Sequence, residues 1–325
     1  MTAPSTSPRV TVVVAAYRVG EGIRPTLESV LAQTMDDLEL LVIDDGSPDQ
    51  PVPDDLPDDP RLIVDRRPVN GGYAAVTNHA IARARGEWVV FVDADDLIEP
   101  DYLAVMLEAG ERFGADAVLA PTLCVRDGHE IGTQLWNPPP GSVSDEKEAM
   151  RRLLRNDIAG SQHVLLRRPT VTSPEELVYS DWVFLLRHLA TSTLVAYVER
   201  PLYRYTIHAE SIAGGLHESV WTLAEVPGFV TPLIREVFDP TEAARLDATM
   251  RRLTVSHMLN KAARESRPSE LRTEVTSWCR ARMSWKDVLT LARDGHRKDA
   301  ASWTLALLSP ALHRRAYQFR DRRKG

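Results

Sequence analysis

The sequence predicts an α/β protein with a mainly parallel sheet flanked by helices, followed by an α-helical extension. Over the first 120 residues, β-branched runs alternate with segments of helical periodicity, which is the spacing of right-handed βαβ units. The five residues that start at Trp88 are continuously apolar, as is typical of a central strand covered on both faces. From about Glu218 onward, only helical patterns occur.

The individual elements are expected in a regular order. Strands are predicted at residues 10–16, 38–44, 62–65, 88–92, 117–120, 162–167 and 194–198. Helices are predicted around Pro25, at 73–85, at 100–113, at 145–155 and from about Ser180. Pro25 suits the first turn of a helix, and Gly86 is expected to close the helix at 73–85 as a left-handed cap.

Composition excludes several classes of protein. The formal net charge of −7 and the pI near 5.8 argue against nucleic acid as a partner. The only cysteines, Cys124 and Cys279, exclude a disulfide framework and a Cys-rich zinc site. No apolar run reaches the ~20 residues that span a bilayer, and residues 1–8 have no apolar core of a signal peptide. We expect a cytoplasmic protein in which residues 1–8 are a disordered lead-in.

Three carboxylates follow the central apolar run, at Asp93, Asp95 and Asp96. Ligands of open α/β sheets bind at the carboxyl ends of the strands, where these side chains would lie. Grouped carboxylates repel one another unless a cation neutralises them, and Mg²⁺ or Mn²⁺ prefers oxygen ligands. The pattern predicts a site for a metal and a diphosphate. The alternative is an acidic strand-to-helix turn in which Asp96 or Glu99 caps the next helix.

Four motifs occur in a fixed order: Asp-Asp-Gly-Ser at 44–47, Asn-Gly-Gly at 70–72, Asp-Ala-Asp-Asp at 93–96, and Ser-Asp-Trp at 180–182, which Tyr-Arg-Tyr-Thr-Ile-His follows at 203–208. Together they resemble the inverting family 2 glycosyltransferases of the GT-A fold, over residues 9–215. The resemblance implies a Rossmann-like GT-A catalytic domain there, with residues 216–325 as a helical C-terminal region. It also implies transfer from a UDP-sugar or other nucleotide-sugar to an acceptor hydroxyl, with Mn²⁺ or Mg²⁺, in the synthesis of surface polysaccharide or glycoconjugate.

The resemblance assigns donor contacts to specific residues. Asp45 would accept a hydrogen bond from the uracil imide, since an ionised carboxylate only accepts. Asp93 would face the ribose or sugar, and Asp96 the sugar hydroxyls. The family commonly has Ala-Arg-Asn where this chain has Val-Thr-Asn at 76–78, so one phosphate partner is missing. The donor-binding residues implied are Ala15, Tyr17, Asp45, Asn70, Gly72, Asn78, Asp93, Ala94 and Asp96.

The remaining assignments concern the metal, the base and the acceptor. Asp95 and His208 would bind the metal, although a loop histidine is often only solvated. Asp181 would be the general base for the acceptor hydroxyl. Alternatively, Asp181 in the first turn only interacts favourably with the helix dipole, and Ser180 is the N-cap. The family usually has Glu-Asp at this place. His163 and Trp182 are expected on the acceptor side; Trp182, like Trp136, could stack on a sugar or belong to the core.

Other readings stay open for the tail and the function. The apolar segment 301–312 precedes a basic end, which suits either peripheral contact with the inner face of a membrane or a packed helix or oligomer contact. A nucleotidyltransferase would need a Gly-rich loop with Arg or Lys, and a dinucleotide oxidoreductase GxGxxG; neither follows the first strand. A catalytically inactive GT-A scaffold and a natural-product glycosyltransferase remain alternatives.

Overall fold

The computed structural model of the protein describes residues 7–159, 163–207, 215–265 and 267–322. The chain separates into two compact units, one ending at Thr206 and one beginning at Ile207. They are called the sheet unit and the helical unit below. The expected lead-in at residues 1–8 lies mostly outside the described residues.

As far as residue 119 the sheet unit mostly alternates strands and helices, as predicted. Its strands are β1 Val10–Ala16, β2 Leu38–Asp44, β3 Leu62–Arg66, β4 Trp88–Asp93, β5 Leu97–Ile98, β6 Ala117–Leu119, β7 Thr122–Arg126, β8 His129–Thr133, β9 Val143–Asp145, β10 Leu165–Arg167, β11 Leu194–Tyr197 and β12 Tyr203–Thr206. Its helices are α1 Arg24–Leu31, α2 Gly72–Arg83, α3 Tyr102–Phe113, α4 Glu146–Leu154 and α5 Asp181–Leu189. Between residues 7 and 119, all of which the structure describes, no helix separates β2 from β3 or β4 from β5.

The main sheet has the order β3-β2-β1-β4-β10-β6-β11-β9. In the described part of the chain, six of its strands run in one direction and only β9 and β10 oppose them. Every residue of β2 is buried, and so are the five apolar residues of β4, because helices cover both faces. The predicted α/β fold with a mainly parallel sheet is confirmed.

A second, smaller sheet was not predicted. Its order is β5-β12-β7-β8, and every residue of β8 is exposed, so the strand carries no hydrophobic alternation. Asp127 and Gly128 join β7 to β8, both with positive φ, as a two-residue hairpin turn requires. This Asp-Gly pair is the one sequence signal that could have identified the hairpin. The sheet places β12 against β5, directly after residues 93–96.

The glycine predicted to cap α2 has another function. The helix ends at Arg83, and Gly86 does not adopt the left-handed conformation. A Cβ atom at Gly86 would lie 2.5 Å from the backbone nitrogen of Thr11. Gly86 is therefore required for close packing against β1, and the cap prediction was wrong.

The helical unit contains six helices in its described residues: α6 Val220–Val237, α7 Pro240–Arg264, α8 Glu270–Arg280, α9 Trp285–Arg293, α10 Arg297–Leu308 and α11 Pro310–Arg322. Asp239, Ser269 and Ser284 cap the N termini of α7, α8 and α9 with their side chains. Trp303 is fully buried, and its indole nitrogen donates to the Ser256 hydroxyl at 2.8 Å. No helix among the described residues is long and apolar enough to cross a membrane.

Candidate active site

The candidate site forms where the central parallel strands end. In register, Ala15 of β1 lies beside Asp93 of β4, and Ala16 lies beside Asp44 of β2. The residues that follow these strands therefore share one edge of the sheet, the edge at which α/β proteins bind ligands. Residues 93–96, the acid loop, lie at this edge.

The three carboxylates of the acid loop have different environments. Asp93 is half-buried, Asp95 is exposed and Asp96 is fully buried, while Ala94 is buried between them. The loop turns tightly, since the Asp96 amide donates to the Asp93 carbonyl at 3.1 Å. The hydroxyl of Thr26 donates to the carbonyls of Ala94 and Asp96, at 2.9 and 2.8 Å, and fixes the loop to α1.

Asp96 anchors a neighbouring strand instead of facing a ligand. Its carboxylate accepts hydrogen bonds from the Tyr203 hydroxyl and the Thr206 amide, both at 2.7 Å, and its side chain has no exposed surface. Burial raises the pKa of Asp96 to about 7. The expected contact with sugar hydroxyls is corrected accordingly: Asp96 holds the acid loop to β12.

Asp93 is influenced by carboxylates from two separate parts of the chain. Burial raises its pKa well above the ordinary value, and the charges of Asp96, Asp95 and Asp181 raise it further. The amide of Asp93 donates to the Tyr203 hydroxyl at 3.0 Å. The fold therefore brings Asp181, which is distant in sequence, into electrostatic contact with the acid loop.

Asp181 is the first residue of α5 and is half-buried. It lines a small pocket together with Tyr73 of α2 and Phe91 of β4. Ser180 occupies the N-cap position, but its hydroxyl caps no helix amide and is buried. Simple capping by Ser180 therefore does not account for this helix start.

Tyr73 is a site residue that sequence reasoning missed. Burial raises the pKa of Tyr73 well above the ordinary value, and the charges of Asp93 and Asp181 raise it further. The Tyr73 hydroxyl is therefore close enough to interact electrostatically with both acids. The only sequence signal was its place directly after the Asn-Gly-Gly motif, which was interpreted through its glycines.

Asp45 fixes the start of α2. Its buried carboxylate accepts hydrogen bonds from the amides of Gly71, at 3.1 Å, and Gly72, at 2.8 Å, and from the guanidinium of Arg67. Asn70 also accepts a hydrogen bond from the Gly72 amide, at 3.1 Å. The uracil contact expected of Asp45 stays a prediction, and a uracil imide would have to compete with these donors.

Asn78 is directed toward the chain that leads to α5. Its amide nitrogen donates to the Ser173 carbonyl at 3.0 Å and to the Glu175 carboxylate at 2.9 Å, and its oxygen accepts from the Ser173 amide at 2.7 Å. This side chain links α2 to the segment that carries Asp181. A donor contact through Asn78 would require these bonds to be exchanged.

The loop after β1 lies beside the loop after β2. Ala15 is half-buried, whereas Tyr17 is 43% exposed and carries the guanidinium of Arg18 over its ring. The Arg18 amide donates to the Ser47 hydroxyl at 2.8 Å. Gly46, with φ of +65°, allows the backbone of residues 69–70 to approach, because a Cβ there would lie 2.7 Å from the Asn70 nitrogen.

The residues expected on the acceptor side are not alike. His163 is buried and stacked on Tyr203, with ring centroids 3.8 Å apart, and burial lowers its pKa to about 3. Its Nε2 atom lies 2.6 Å from the Thr122 hydroxyl. His163 thus belongs to the core and does not face an acceptor, which corrects the prediction. Trp182 is half-buried beside Asp181, and Trp136 packs edge-on against Tyr197.

The acid loop can bind a divalent cation if a ligand completes the coordination of that cation. The described residues contain no group of three or more His, Cys, Asp or Glu side chains placed to hold a metal, and His208 lies outside them. Mg²⁺ usually binds through one or two carboxylates together with substrate phosphates. Asp95 and Asp93 can supply those carboxylates, and a cation would relieve the repulsion that raises the pKa of Asp93.

The fold and the acidic sheet edge define a GT-A-type protein. S. aureus TarS 1-349 has a similar fold, with a TM-score of 0.62 at 18% identity, covering 93% of this chain and 90% of that one. TarS in complex with UDP-GlcNAc gives a TM-score of 0.64 at 18% identity, covering 97% of this chain and 92% of TarS.

The family model described as glycosyl transferase family 2 matches residues 11–170. EpsH of Bacillus subtilis is 30% identical over 221 residues, 63% of each chain. Succinoglycan biosynthesis protein ExoO of Rhizobium meliloti is 38% identical over 109 residues, 33% of this chain and 31% of ExoO. The chain thus spans less than two thirds of the length of these relatives. Residues 11–170 therefore carry a glycosyl transferase family 2 match, as the motif order predicted.

Proposed function

We propose that the protein transfers a sugar from a UDP-sugar, or another nucleotide-sugar, to an acceptor hydroxyl with inversion. One observation carries the proposal: Asp181 and Tyr73, from distant segments, line the same small pocket, and the charges of Asp93 and Asp181 raise the pKa of Tyr73 further beyond the effect of burial. An acidic strand-to-helix turn would not require a second acid from α5. The family match supports the same chemistry.

Asp181 is the proposed general base. The acceptor hydroxyl must lose a proton as it attacks the anomeric carbon, and a carboxylate within hydrogen-bond reach contributes ~10²–10⁴-fold to such a step. Asp181 is the first residue of α5 and is half-buried, so part of its carboxylate is open to an acceptor. Attack from the face opposite the leaving group converts an α-linked donor into a β-glycoside.

The leaving group is a nucleoside diphosphate, which gains negative charge as the glycosidic bond breaks. Asp95, with Asp93, would hold Mn²⁺ or Mg²⁺, and a bound cation stabilises charge of this kind. Asp93 and Asp95 together orient the diphosphate end of the donor at the sheet edge. His208 would be a further ligand and lies outside the described residues.

Surface polysaccharide or glycoconjugate synthesis is the proposed process, as a cytoplasmic reaction. ExoO, a relative over a third of the chain, is a succinoglycan biosynthesis protein. UDP-GlcNAc, which is bound in one of the TarS structures, is the first donor to test. Ala15, Tyr17, Asn70 and Gly72 border the sheet edge and are the proposed contacts for the nucleoside.

The test measures donor turnover and product stereochemistry. The 325-residue chain is incubated with UDP-sugars, Mn²⁺ and hydroxyl-bearing acceptors, and the anomeric proton coupling of the product is read by NMR. We expect metal-dependent release of UDP that Asp95→Asn abolishes. Asp127→Asn, an exposed acid in the β7–β8 turn, is the matched control and should turn over normally. UDP binding without metal-dependent turnover would favour the inactive scaffold, and an α-linked product from an α-linked donor would contradict inversion.

A further inference from the structure

The exposed face of α9 is apolar. Trp285 is 53% exposed and Leu289 is 72% exposed, one helical turn apart. Ala292 is also exposed and continues the same stripe. Val288 and Leu291 are buried on the other side. The helix has therefore buried its core-facing side and still presents a second apolar stripe to solvent.

The last helix repeats this arrangement. Leu312 is 50% exposed and Phe319 is 61% exposed, and the exposed Ala316 lies between them at helical spacing. His313 and Tyr317 are buried on the opposite face. Because α11 is docked through that opposite face, its exposed apolar side is not required for the packing of the helical unit.

These exposed side chains lie on three consecutive helices of the helical unit. Helix α10 packs against both α9 and α11. The Arg280 guanidinium, at the end of α8, donates to the Leu307 carbonyl of α10 at 3.4 Å. Leu308 ends α10 at 64% exposure, and Leu312 lies in the first turn of α11.

The concentration of exposed apolar residues is unusual for this chain. Single exposed hydrophobic residues are normal on protein surfaces. Of the ten large hydrophobic residues that are exposed in the described part of the chain, five lie between residues 285 and 319. They are Trp285, Leu289, Leu308, Leu312 and Phe319, and together they define the apolar face of the helical unit.

The sequence that carries the apolar face is basic. Residues 280–325 contain twelve Lys and Arg against four Asp, in a chain whose net charge is −7. Lys286 and Arg293 are exposed on α9, next to its apolar stripe. Asp287, an acid of the same helix, pairs with Arg252 at 2.7 Å and is turned inward. A positive apolar surface is complementary to an anionic one.

We propose that the apolar face of the helical unit docks on the surface of an anionic lipid bilayer. Exposed Trp and Leu side chains would enter the boundary between headgroups and acyl chains, and the surrounding Lys and Arg would attract the anionic headgroups. Such docking needs no membrane-spanning helix. It does not depend on the proposed sugar transfer, since none of these residues belongs to the acid loop or to α5.

Vesicle flotation of the whole 325-residue chain tests the proposal. We expect binding to phosphatidylcholine vesicles containing roughly one third phosphatidylglycerol and little binding to pure phosphatidylcholine, because each surface Lys or Arg contributes about fivefold to partitioning. About 1 M salt should release much of the protein, since it shortens the screening length to ~3 Å. Leu289→Ser should weaken binding about tenfold, and Lys286→Glu at least about fivefold.

Two matched variants control for unspecific effects. Ile131→Ser, on the exposed strand β8, and Lys147→Glu, exposed on α4, should bind vesicles like the parent protein. Melting temperatures verify that every variant is folded. Equal binding to neutral and anionic vesicles, or parental binding by Leu289→Ser and Lys286→Glu, would overturn the proposal. So would a dimer in sedimentation velocity that Leu289→Ser dissociates without any vesicle binding, which would identify a second copy as the occupant.

Discussion

The two units of this chain differ in charge. The sequence up to residue 206 contains 32 Asp and Glu against 19 Lys and Arg, whereas residues 207–325 contain 14 against 20. In the sheet unit, acids gather at a strand edge, where burial and mutual repulsion raise the pKa of Asp93. In the helical unit, side-chain caps and a buried tryptophan stabilise the fold, and the sequence that carries the apolar face is basic. The contrast fits the two proposals, sugar transfer by the sheet unit and membrane docking by the helical unit.

The largest expected effect is on chemistry in the sheet unit. Asp181→Asn keeps the shape of the side chain but removes the proposed base, so turnover should fall by ~10²–10⁴-fold. UDP affinity should change little, because the donor is proposed to bind at the acid loop. Initial rates and UDP titration calorimetry measure the two quantities. Glu176→Gln, an exposed acid near in sequence, is the control and should turn over normally. A parental rate for Asp181→Asn would contradict the proposed role of Asp181 as the base.

The helical unit should respond in stability. Trp303→Ala removes a fully buried side chain and its hydrogen bond to Ser256, so the free energy of unfolding should fall by about 3–5 kcal/mol. Trp285→Ala removes an exposed side chain of the same type and should cost less than about 0.5 kcal/mol. Urea unfolding of both variants makes the comparison. Similar losses would mean that Trp285 is part of the core, contrary to the proposed docking face.

A smaller effect concerns pH and the core of the sheet unit. Burial lowers the pKa of His163 to about 3 from 6.5, so as the pH falls below 6.5 the unfolded chain gains a proton that the folded chain does not. The free energy of unfolding should therefore decrease with falling pH. His163→Gln should flatten this decrease by on the order of 2 kcal/mol between pH 6.5 and about 4. Urea unfolding across that range measures the slope.

His129→Gln, exposed on β8, is the matched control for that slope. The buried His188, whose pKa is also lowered by burial, contributes in the same direction and is unchanged in both variants. An unaltered slope in His163→Gln would place His163 in contact with solvent. It would thereby restore the acceptor-side position that the structure argues against.

Long apolar runs made the main sheet predictable. The predicted bounds of β1 and β2 agree with the structure, since a run of seven residues that is buried almost throughout has few alternatives. The short strands of the second sheet have no such pattern, and the exposed β8 could be found only from its Asp-Gly turn. Gly86 was predicted to be a helix cap because it follows a helical pattern. Its close approach to Thr11 joins residues far apart in sequence, so local patterns do not reveal it.

The sequence predicted that several acids lie at one edge of the sheet, but not what each of them contacts. Asp93, Asp95 and Asp96 are chemically identical in sequence, yet only the structure shows that Tyr203 and Thr206 bury Asp96. Asp45 was expected to be free to bind the uracil base. In the structure its carboxylate accepts hydrogen bonds from the amides of Gly71 and Gly72, which are distant in sequence. Hydrogen bonds between distant segments decide which carboxylate is available, and local patterns do not record them.

The three hydrogen bonds of Asn78 have a consequence for how a substrate would be received. They tie α2, which follows the glycine motif, to residues 173–175, which lead into the helix of Asp181. The distance between α2 and residues 173–175 is thus fixed before any ligand binds. Binding therefore costs little conformational entropy for ordering these segments. Hydrogen exchange of residues 173–181 should already be slow in the empty protein, and saturating UDP should slow it little further.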